Sequence, residues 1–138
     1  LREQVRAGDL GDKVFFIPRV PFHQLHNYTC SADLGLCLIK GTGKSFCYSL
    51  PNKLFEYMMA GLPVLASDFP EMQRVIGETH AGATVDPTDV EAIRRQISVF
   101  LADPERRMAC GQASLEAAQR YSWEREADQL IQLYATLI

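Results

Sequence analysis

The chain has 138 residues, of which 47% are hydrophobic and 22% charged, and its formal net charge is -3 at pH 7. This length and composition are ordinary for one globular domain with a core of its own. The acidic balance gives no support for nucleic-acid binding, which needs a basic surface, and no apolar run is long enough to span a bilayer. The four cysteines have no paired spacing, so we expect reduced thiols in a cytoplasmic protein rather than a metal site.

The first third of the chain alternates between helical and extended patterns. An opening helix is followed by an apolar strand over 14–17, which Pro18 ends. A short helix over 22–29 then leads to a second apolar strand over 34–39. The stretch 40–49, which is rich in glycine and hydroxyl side chains, is predicted to be a loop.

The most informative pattern is a helix, a tight turn and a buried strand. Pro51 suits the first turn of a helix, Gly61 suits a left-handed cap at its end, and Pro63 prevents it from continuing. The apolar run over 63–66 indicates a parallel strand covered on both faces. Glu56 lies inside this otherwise apolar helix, where a carboxylate is costly unless it has a partner or a ligand.

The rest of the chain becomes mainly helical. A short helix over 71–77 and a strand over 82–85 come first. Three later helices are predicted to begin at residues that can cap a free backbone N–H: Thr88, Asp103 and Ser122. For the first of them, Thr88 and Glu91 form a capping-box pattern. Three large side chains are assigned to the core: Met58, Met59 and Trp123.

Strands that alternate with helices predict an α/β fold, namely a Rossmann-like parallel sheet with helices on both faces and a helical C-terminal end. Ligands of such sheets bind beyond the carboxyl ends of the strands. We therefore expect function in the loops that follow the strands, at 18–21, 40–51 and 67–70.

Residues 50–67 read LPNKLFEYMMAGLPVLAS. This segment resembles the donor-binding signature of the retaining GT-B glycosyltransferases, close to family 4, in which a glutamate and an aromatic residue precede Ala-Gly-x-Pro-Val. The likeness extends to five further segments: 12–18, 31–36, 68–72, 81–87 and 121–124. It implies that 1–138 is a single, partial domain, the C-terminal nucleotide-sugar-binding domain of such an enzyme, truncated at its N-terminus.

The resemblance also implies what this chain lacks. A complete donor domain of the family has two more strands, between those at 14–17 and 34–39, with an arginine and a lysine that hold the donor diphosphate, and it is joined to an acceptor domain. We therefore expect no sugar transfer by this chain alone. The exposed strand edges should either form a homodimer or let 14–17 pair directly with 34–39.

Two residues stand at the positions of the family's paired signature glutamates. Glu56 matches the second, which implies that its carboxylate accepts hydrogen bonds from both ribose hydroxyls; the alternative is a glutamate that faces solvent or pairs with Lys53. Eight residues earlier, where the first glutamate would stand, this chain has Tyr48. A phenol can form a hydrogen bond but supplies no carboxylate, so Tyr48 either holds the sugar or a phosphate, or packs at the domain edge.

Four more candidate residues stand at the N-terminus of the same helix, where free N–H groups favour an anion: Ser49, Leu50, Asn52 and Lys53. The resemblance implies that the donor diphosphate lies there and that the nucleotide base packs against Arg19 and Val20. His23 and His26 share a helical face and are expected to be solvated. No metal and no cofactor are expected, since the resembled enzymes are typically metal-independent.

The predicted function is donor binding in transfer of a sugar from a nucleoside diphosphate to a hydroxyl acceptor. The acceptor, a glycan or a lipid-linked glycan, would bind to the missing N-terminal domain, which could also hold the protein at the inner membrane face. Two alternatives stay open. One is a nucleotide-sugar epimerase or hydrolase with the same two-domain fold. The other is a non-catalytic α/β binding or assembly module, which the tyrosine at position 48 favours.

Overall fold

The computed structural model describes residues 1–137. They form eight α-helices and three β-strands. In chain order these are α1 (Arg2–Ala7), α2 (Phe22–Cys30), β1 (Gly35–Cys37), α3 (Lys44–Cys47), α4 (Asn52–Met59), β2 (Val64–Ser67), α5 (Pro70–Thr79), β3 (Gly82–Val85), α6 (Val90–Ala102), α7 (Pro104–Arg120) and α8 (Trp123–Ala135).

The three strands form one parallel sheet in the order β1-β2-β3. Gly35 pairs with Val64, which in turn pairs with Gly82. All four side chains of β2 are buried, and successive side chains of a strand point to opposite faces. Both faces of the sheet are therefore covered, and the predicted Rossmann-like α/β fold is confirmed.

The predicted strand over 14–17 is wrong. These residues form no strand, and the side chains of Phe15 and Ile17 are 76% and 63% exposed. The prediction that this segment pairs directly with the strand at 34–39 is also wrong, because within residues 1–137 the sheet consists of β1, β2 and β3 and does not include 14–17. A strand is stable only when a neighbour accepts its backbone hydrogen bonds, so an apolar run of high β propensity without such a neighbour stays irregular.

We still expect the chain to associate as a homodimer through this unpaired segment and the free edge of β1. Apolar residues at 14–17 and an unpaired strand edge both favour pairing with another chain. Light scattering at increasing concentration should report twice the monomer mass. A variant that carries Phe15→Lys and Ile17→Lys should stay monomeric, because charged residues oppose edge-to-edge pairing. A wild-type monomer over the whole concentration range would contradict this prediction.

The turn between α4 and β2 has the predicted form. Gly61 adopts a φ of 69°, a left-handed conformation that suits glycine. Here α7 closely approaches the turn, since a Cβ atom on Gly111 would lie 2.6 Å from the carbonyl oxygen of Gly61. The buried Ser114 hydroxyl donates to the carbonyl of Leu62 at 2.6 Å. These contacts fix α7 against the amino end of β2.

Two of the predicted helix caps differ from the structure. Asp103 accepts from the backbone N–H of Arg106 at 2.9 Å, as expected. The cap of α6 is Asp89 rather than Thr88, because Thr88 donates its N–H and its hydroxyl to Asp86, which lowers the pKa of that carboxyl. Ser122 stands at the start of α8 but makes no capping hydrogen bond with its side chain.

The core lies between the sheet and helices α4, α5 and α7. Its buried members are Cys37, Leu54, Met58, Val64, Ala66, Met72, Val75, Ile76, Ala81 and Ala117. Met58 is therefore a core residue as predicted, whereas Met59 and Trp123 are 59% and 71% exposed and their assignment was wrong. Neighbours on a helix point about 100° apart, so only one methionine of the pair can face the sheet. Trp123 opens α8, whose apolar stripe lies largely at the surface.

Candidate functional site

The carboxyl edge of the sheet is where α4 begins. Since α4 connects two parallel strands, it runs opposite to them and its N-terminus lies at their carboxyl ends. Pro51 stands at the cap position and no side chain caps this end. The first N–H groups of α4 and its dipole therefore offer a site for an anion.

Lys53 adds a positive charge to this end of α4. Its side chain is exposed, and within residues 1–137 it makes no ion pair with Glu56. Its positive charge partly opposes the effect of burial on Cys37, the last residue of β1, whose pKa rises to about 11. Lys53 is thus a cation at the helix N-terminus, available to a phosphate.

The packing of α4 determines where Glu56 lies. Leu54 and Met58 face the core, and the ring of Tyr57 covers Gly35, where an added Cβ would lie 2.5 Å from the ring. Burial raises the pKa of Tyr57, and the charges of Cys37 and Glu56 raise it further. The core and Gly35 thus occupy two faces of α4. Glu56 is half-buried and lies on the remaining side of the helix, which contacts α2.

Between α2 and α4 lies a groove of about 270 Å³, which we call the Glu56 groove. It is lined by Phe22, His23, Leu25, His26, Thr29, Glu56 and Met59. The two histidines are exposed, as expected, and they also line this groove with the carboxylate, where their ring nitrogens can donate or accept. Periodicity placed them on one face of α2 correctly. It could not show that this face meets α4, because that contact is tertiary.

Arg19 and Val20 lie in a second groove, of about 500 Å³, which we call the loop groove. Its lining is Ile17, Pro18, Arg19, Val20, Pro21, Phe22, Leu25 and Tyr28. Phe22 and Leu25 line both grooves, so the two adjoin. The structure thus brings together Glu56, Arg19 and Val20, which are distant in the sequence.

The remaining predicted residues line neither groove and lie before or at the start of α4. Tyr48 is 64% exposed, so it is not packed at an edge of the domain. Ser49 donates its hydroxyl to the carbonyl of Phe46 at 3.2 Å, and Leu50 packs on the core. Asn52 is the first residue of α4 and is exposed. These residues thus directly precede or begin α4.

Comparison with known proteins decides the family. Residues 1–117 match the family described as Glycosyl transferases group 1. The chain belongs to this glycosyltransferase family. The resemblance in the signature segment is therefore confirmed.

Individual relatives support the assignment. A phosphatidyl-myo-inositol mannosyltransferase of Mycolicibacterium smegmatis is 31% identical over 137 residues, which is 99% of this chain and 34% of that protein. A D-inositol 3-phosphate glycosyltransferase of Corynebacterium urealyticum is 34% identical over 82 residues, which is 59% of this chain and 19% of that protein. The solved sucrose-phosphate synthase of Thermosynechococcus elongatus matches with a TM-score of 0.83 and 28% identity, over 99% of this chain and 33% of that one. The glycosyltransferase chain thus has a GT-B Rossmann-like fold and spans at most about a third of the length of these three relatives.

Two kinds of feature are absent from the residues that the structure describes. Within residues 1–137 of this glycosyltransferase chain, no helix combines the length and the apolar character that a membrane crossing needs. The same residues hold no cluster of three or more His, Cys, Asp or Glu side chains that could bind a metal ion.

The cysteines beside the site should differ sharply in reactivity. We expect iodoacetamide at pH 8 to modify the exposed Cys30 and to leave Cys37 unreacted. Cys37 is fully buried, and its raised pKa of about 11, against 9.0, leaves about a hundredfold less thiolate at this pH. Peptide mass spectrometry after timed quenching would measure both rates, and urea-unfolded chain should react at both sites. Equal rates in the folded chain would contradict the burial of Cys37.

Proposed function

We propose that this chain is the nucleotide-sugar-binding part of a retaining glycosyltransferase. Residues 1–138 would form one partial domain, the C-terminal donor domain of a two-domain enzyme that moves a sugar from a nucleoside diphosphate to a hydroxyl acceptor. The observation that carries the proposal is Glu56. It is a half-buried carboxylate without an ion-pair partner among the described residues, and it lines a groove one helical turn from an uncapped helix N-terminus.

The spacing along α4 suits a nucleoside diphosphate. Glu56 lies four positions after Asn52, which is a rise of about 6 Å along the helix axis. In the proposal, the diphosphate binds at the N-terminus of α4 beside Lys53 and the adjoining ribose reaches Glu56. The carboxylate accepts from both ribose hydroxyls, which gives strong, charge-assisted hydrogen bonds.

In the same proposal, the base and the sugar bind on either side of the ribose and the diphosphate. The loop groove, with Arg19 and Val20, adjoins the Glu56 groove and gives the base an apolar surface and backbone groups. Tyr48, exposed before α4, would contact the sugar or a phosphate with its hydroxyl. The leaving diphosphate would be stabilised by fixed donors, without a metal ion.

The acceptor and the cellular location are proposed for the whole enzyme rather than for this chain. One relative is a phosphatidyl-myo-inositol mannosyltransferase and another is an O-antigen chain mannosyltransferase of Escherichia coli. By analogy, we propose a glycan or lipid-linked acceptor, held by an N-terminal domain, in an enzyme of the cytoplasm that associates with the inner membrane face.

The test is calorimetry of the 138-residue chain with UDP, GDP, ADP and CDP, supported by thermal shift. At least one nucleoside diphosphate should bind, and its free nucleoside should bind more weakly because the phosphate contacts are lost. At a hundred times its Kd, the ligand should stabilise the folded chain by about 2.7 kcal/mol. Failure of all four to bind a well-folded chain would refute the donor role and favour an assembly module.

We expect no sugar transfer by the chain alone. The donor of such an enzyme lies between two domains, and this chain offers one side of that cleft. Incubation with radiolabelled UDP-glucose and GDP-mannose, with and without a lipid or glycan acceptor, should give neither labelled product nor free sugar above the rate without protein. Robust transfer would disprove the expectation, and sugar release without an acceptor would favour a hydrolase.

A further inference from the structure

The last residue of β2, Ser67, is a polar side chain that is fully buried. Its hydroxyl accepts from the backbone N–H of Ile39 at 2.7 Å and donates to the carbonyl of Ile39 at 2.9 Å. The carbonyl of Cys37 lies 3.5 Å away. One hydroxyl thus satisfies both backbone groups of a residue on the neighbouring chain segment.

The hydrogen bonds of Ser67 lie just beyond the point where the backbone pairing of β1 with β2 ends. The pairing of β1 with β2 stops at Cys37 and Ala66. Beyond that point the N–H of Asp68 turns to the carbonyl of Val85 on the other side of the sheet. Ile39 therefore has no strand to pair with, and the Ser67 side chain takes the place of a backbone partner.

A second contact holds the same segment two residues later. A Cβ atom on Gly41 would lie 3.0 Å from Cζ of Phe69 and 3.0 Å from Sγ of Cys47. The Phe69 ring and the Cys47 thiol thus pack directly on the Gly41 backbone. The end of β2 and the residues after it hold the start of the 40–51 segment at two points.

We infer that Ser67 is a positioning residue of the donor site: through Ile39 it holds the 40–51 segment, which carries Tyr48 and leads into the N-terminus of α4. The inference rests on the proposed function. Ser67 would not touch the donor. Its hydroxyl orders the segment before the ligand arrives, so that binding does not have to immobilise it.

The experiment compares Ser67→Ala with Ser114→Ala in the 138-residue chain. Ser114 is the matched control, because it is also fully buried and also donates to a backbone carbonyl, at the opposite, amino end of β2. Both variants should lose stability, since each leaves buried polar groups unpaired. Two further measurements separate them: amide hydrogen exchange over 39–50 without ligand, and calorimetric Kd values for UDP, GDP, ADP and CDP.

In Ser67→Ala, we expect exchange over 39–50 to rise and the Kd of the nucleotide that binds to rise about tenfold. In Ser114→Ala, the exchange over 39–50 and the Kd should both match wild type, although its melting temperature falls about as much as that of Ser67→Ala. Unchanged exchange, or faster exchange with an unchanged Kd, would overturn the inference, as would equal effects of the two variants. If wild type binds none of UDP, GDP, ADP and CDP, the proposed function fails and the positioning role falls with it, whereas the exchange data still report whether Ser67 orders the segment.

Should Ser67→Ala not fold, Gly41→Ala tests the same tether from its other side. The added methyl group would lie 3.0 Å from Cζ of Phe69 and from Sγ of Cys47, so these contacts with the start of the segment have to loosen. Faster exchange over 39–50 with a raised Kd would support the inference. Wild-type exchange and Kd in this variant would overturn it.

Discussion

Replacing Glu56 with glutamine is expected to weaken binding of a nucleoside diphosphate by about 1.5–3 kcal/mol, the usual contribution of a hydrogen bond to a charged group. The substitution keeps the shape of the side chain and removes its charge. Only the carboxylate can accept from both ribose hydroxyls at charge-assisted strength, because the amide replaces one acceptor oxygen with a donor. Calorimetry with the nucleoside diphosphate that binds wild type best would measure the loss, which corresponds to a Kd about 10 to 150 times higher.

The control for this variant is Glu116→Gln. Glu116 is an exposed glutamate of α7 that accepts from Gln112 on its own helix and lines neither groove. Its replacement should leave the Kd unchanged. If Glu56→Gln binds as tightly as wild type, the ribose role is wrong even though the nucleotide binds. If both variants lose affinity equally, the effect comes from net charge.

The second large effect is expected on stability, from Gly82→Ala. A Cβ atom on this first residue of β3 would overlap the backbone of Val64, lying 2.7 Å from its carbonyl carbon, 2.8 Å from its nitrogen and closer still to its oxygen. Val64 is the residue with which Gly82 pairs, so the methyl group forces the two strands apart. We expect a loss of more than about 3 kcal/mol in the free energy of unfolding, because backbone in the centre of a sheet cannot move aside.

Urea denaturation would measure this loss, with Gly77→Ala as the control. Gly77 lies in α5, and a Cβ added there would meet nothing within 4 Å. Alanine at this position should be neutral or stabilise the chain by up to about 1 kcal/mol, since it restricts the unfolded state and favours helix. Equal midpoints for wild type and Gly82→Ala would show that the close approach of β3 to β2 is not a feature of the protein in solution.

The signature segment shows how much local pattern can predict. Pro51 and Gly61 bound α4 as expected, because a missing N–H and a left-handed φ are properties of single residues. Asp103 caps α7 for the same reason, since its hydrogen bond spans three residues. The burial of β2 could be predicted because four consecutive residues carry no charge.

The errors arose where a residue needs a distant partner. The run over 14–17 has high β propensity, yet within residues 1–137 no strand pairs with it. Trp123 looked like a core residue by type, but α8 leaves it at the surface. The Thr88 capping box lost to a local competitor, because Asp86 accepts the threonine hydroxyl and Asp89 takes the cap.

The candidate site divides in the same way. The sequence alone was enough to name Glu56 and the N-terminus of α4 as candidate site features and to indicate the family. A short motif and the end of a helix are local features, which a sequence pattern can record. Only the tertiary structure brought His23 and His26 of α2 to Glu56, and only it tied Ser67 to Ile39 across 28 residues of chain. Helix and strand patterns record which face of an element is apolar, whereas the choice of the element that covers this face depends on packing over the whole chain.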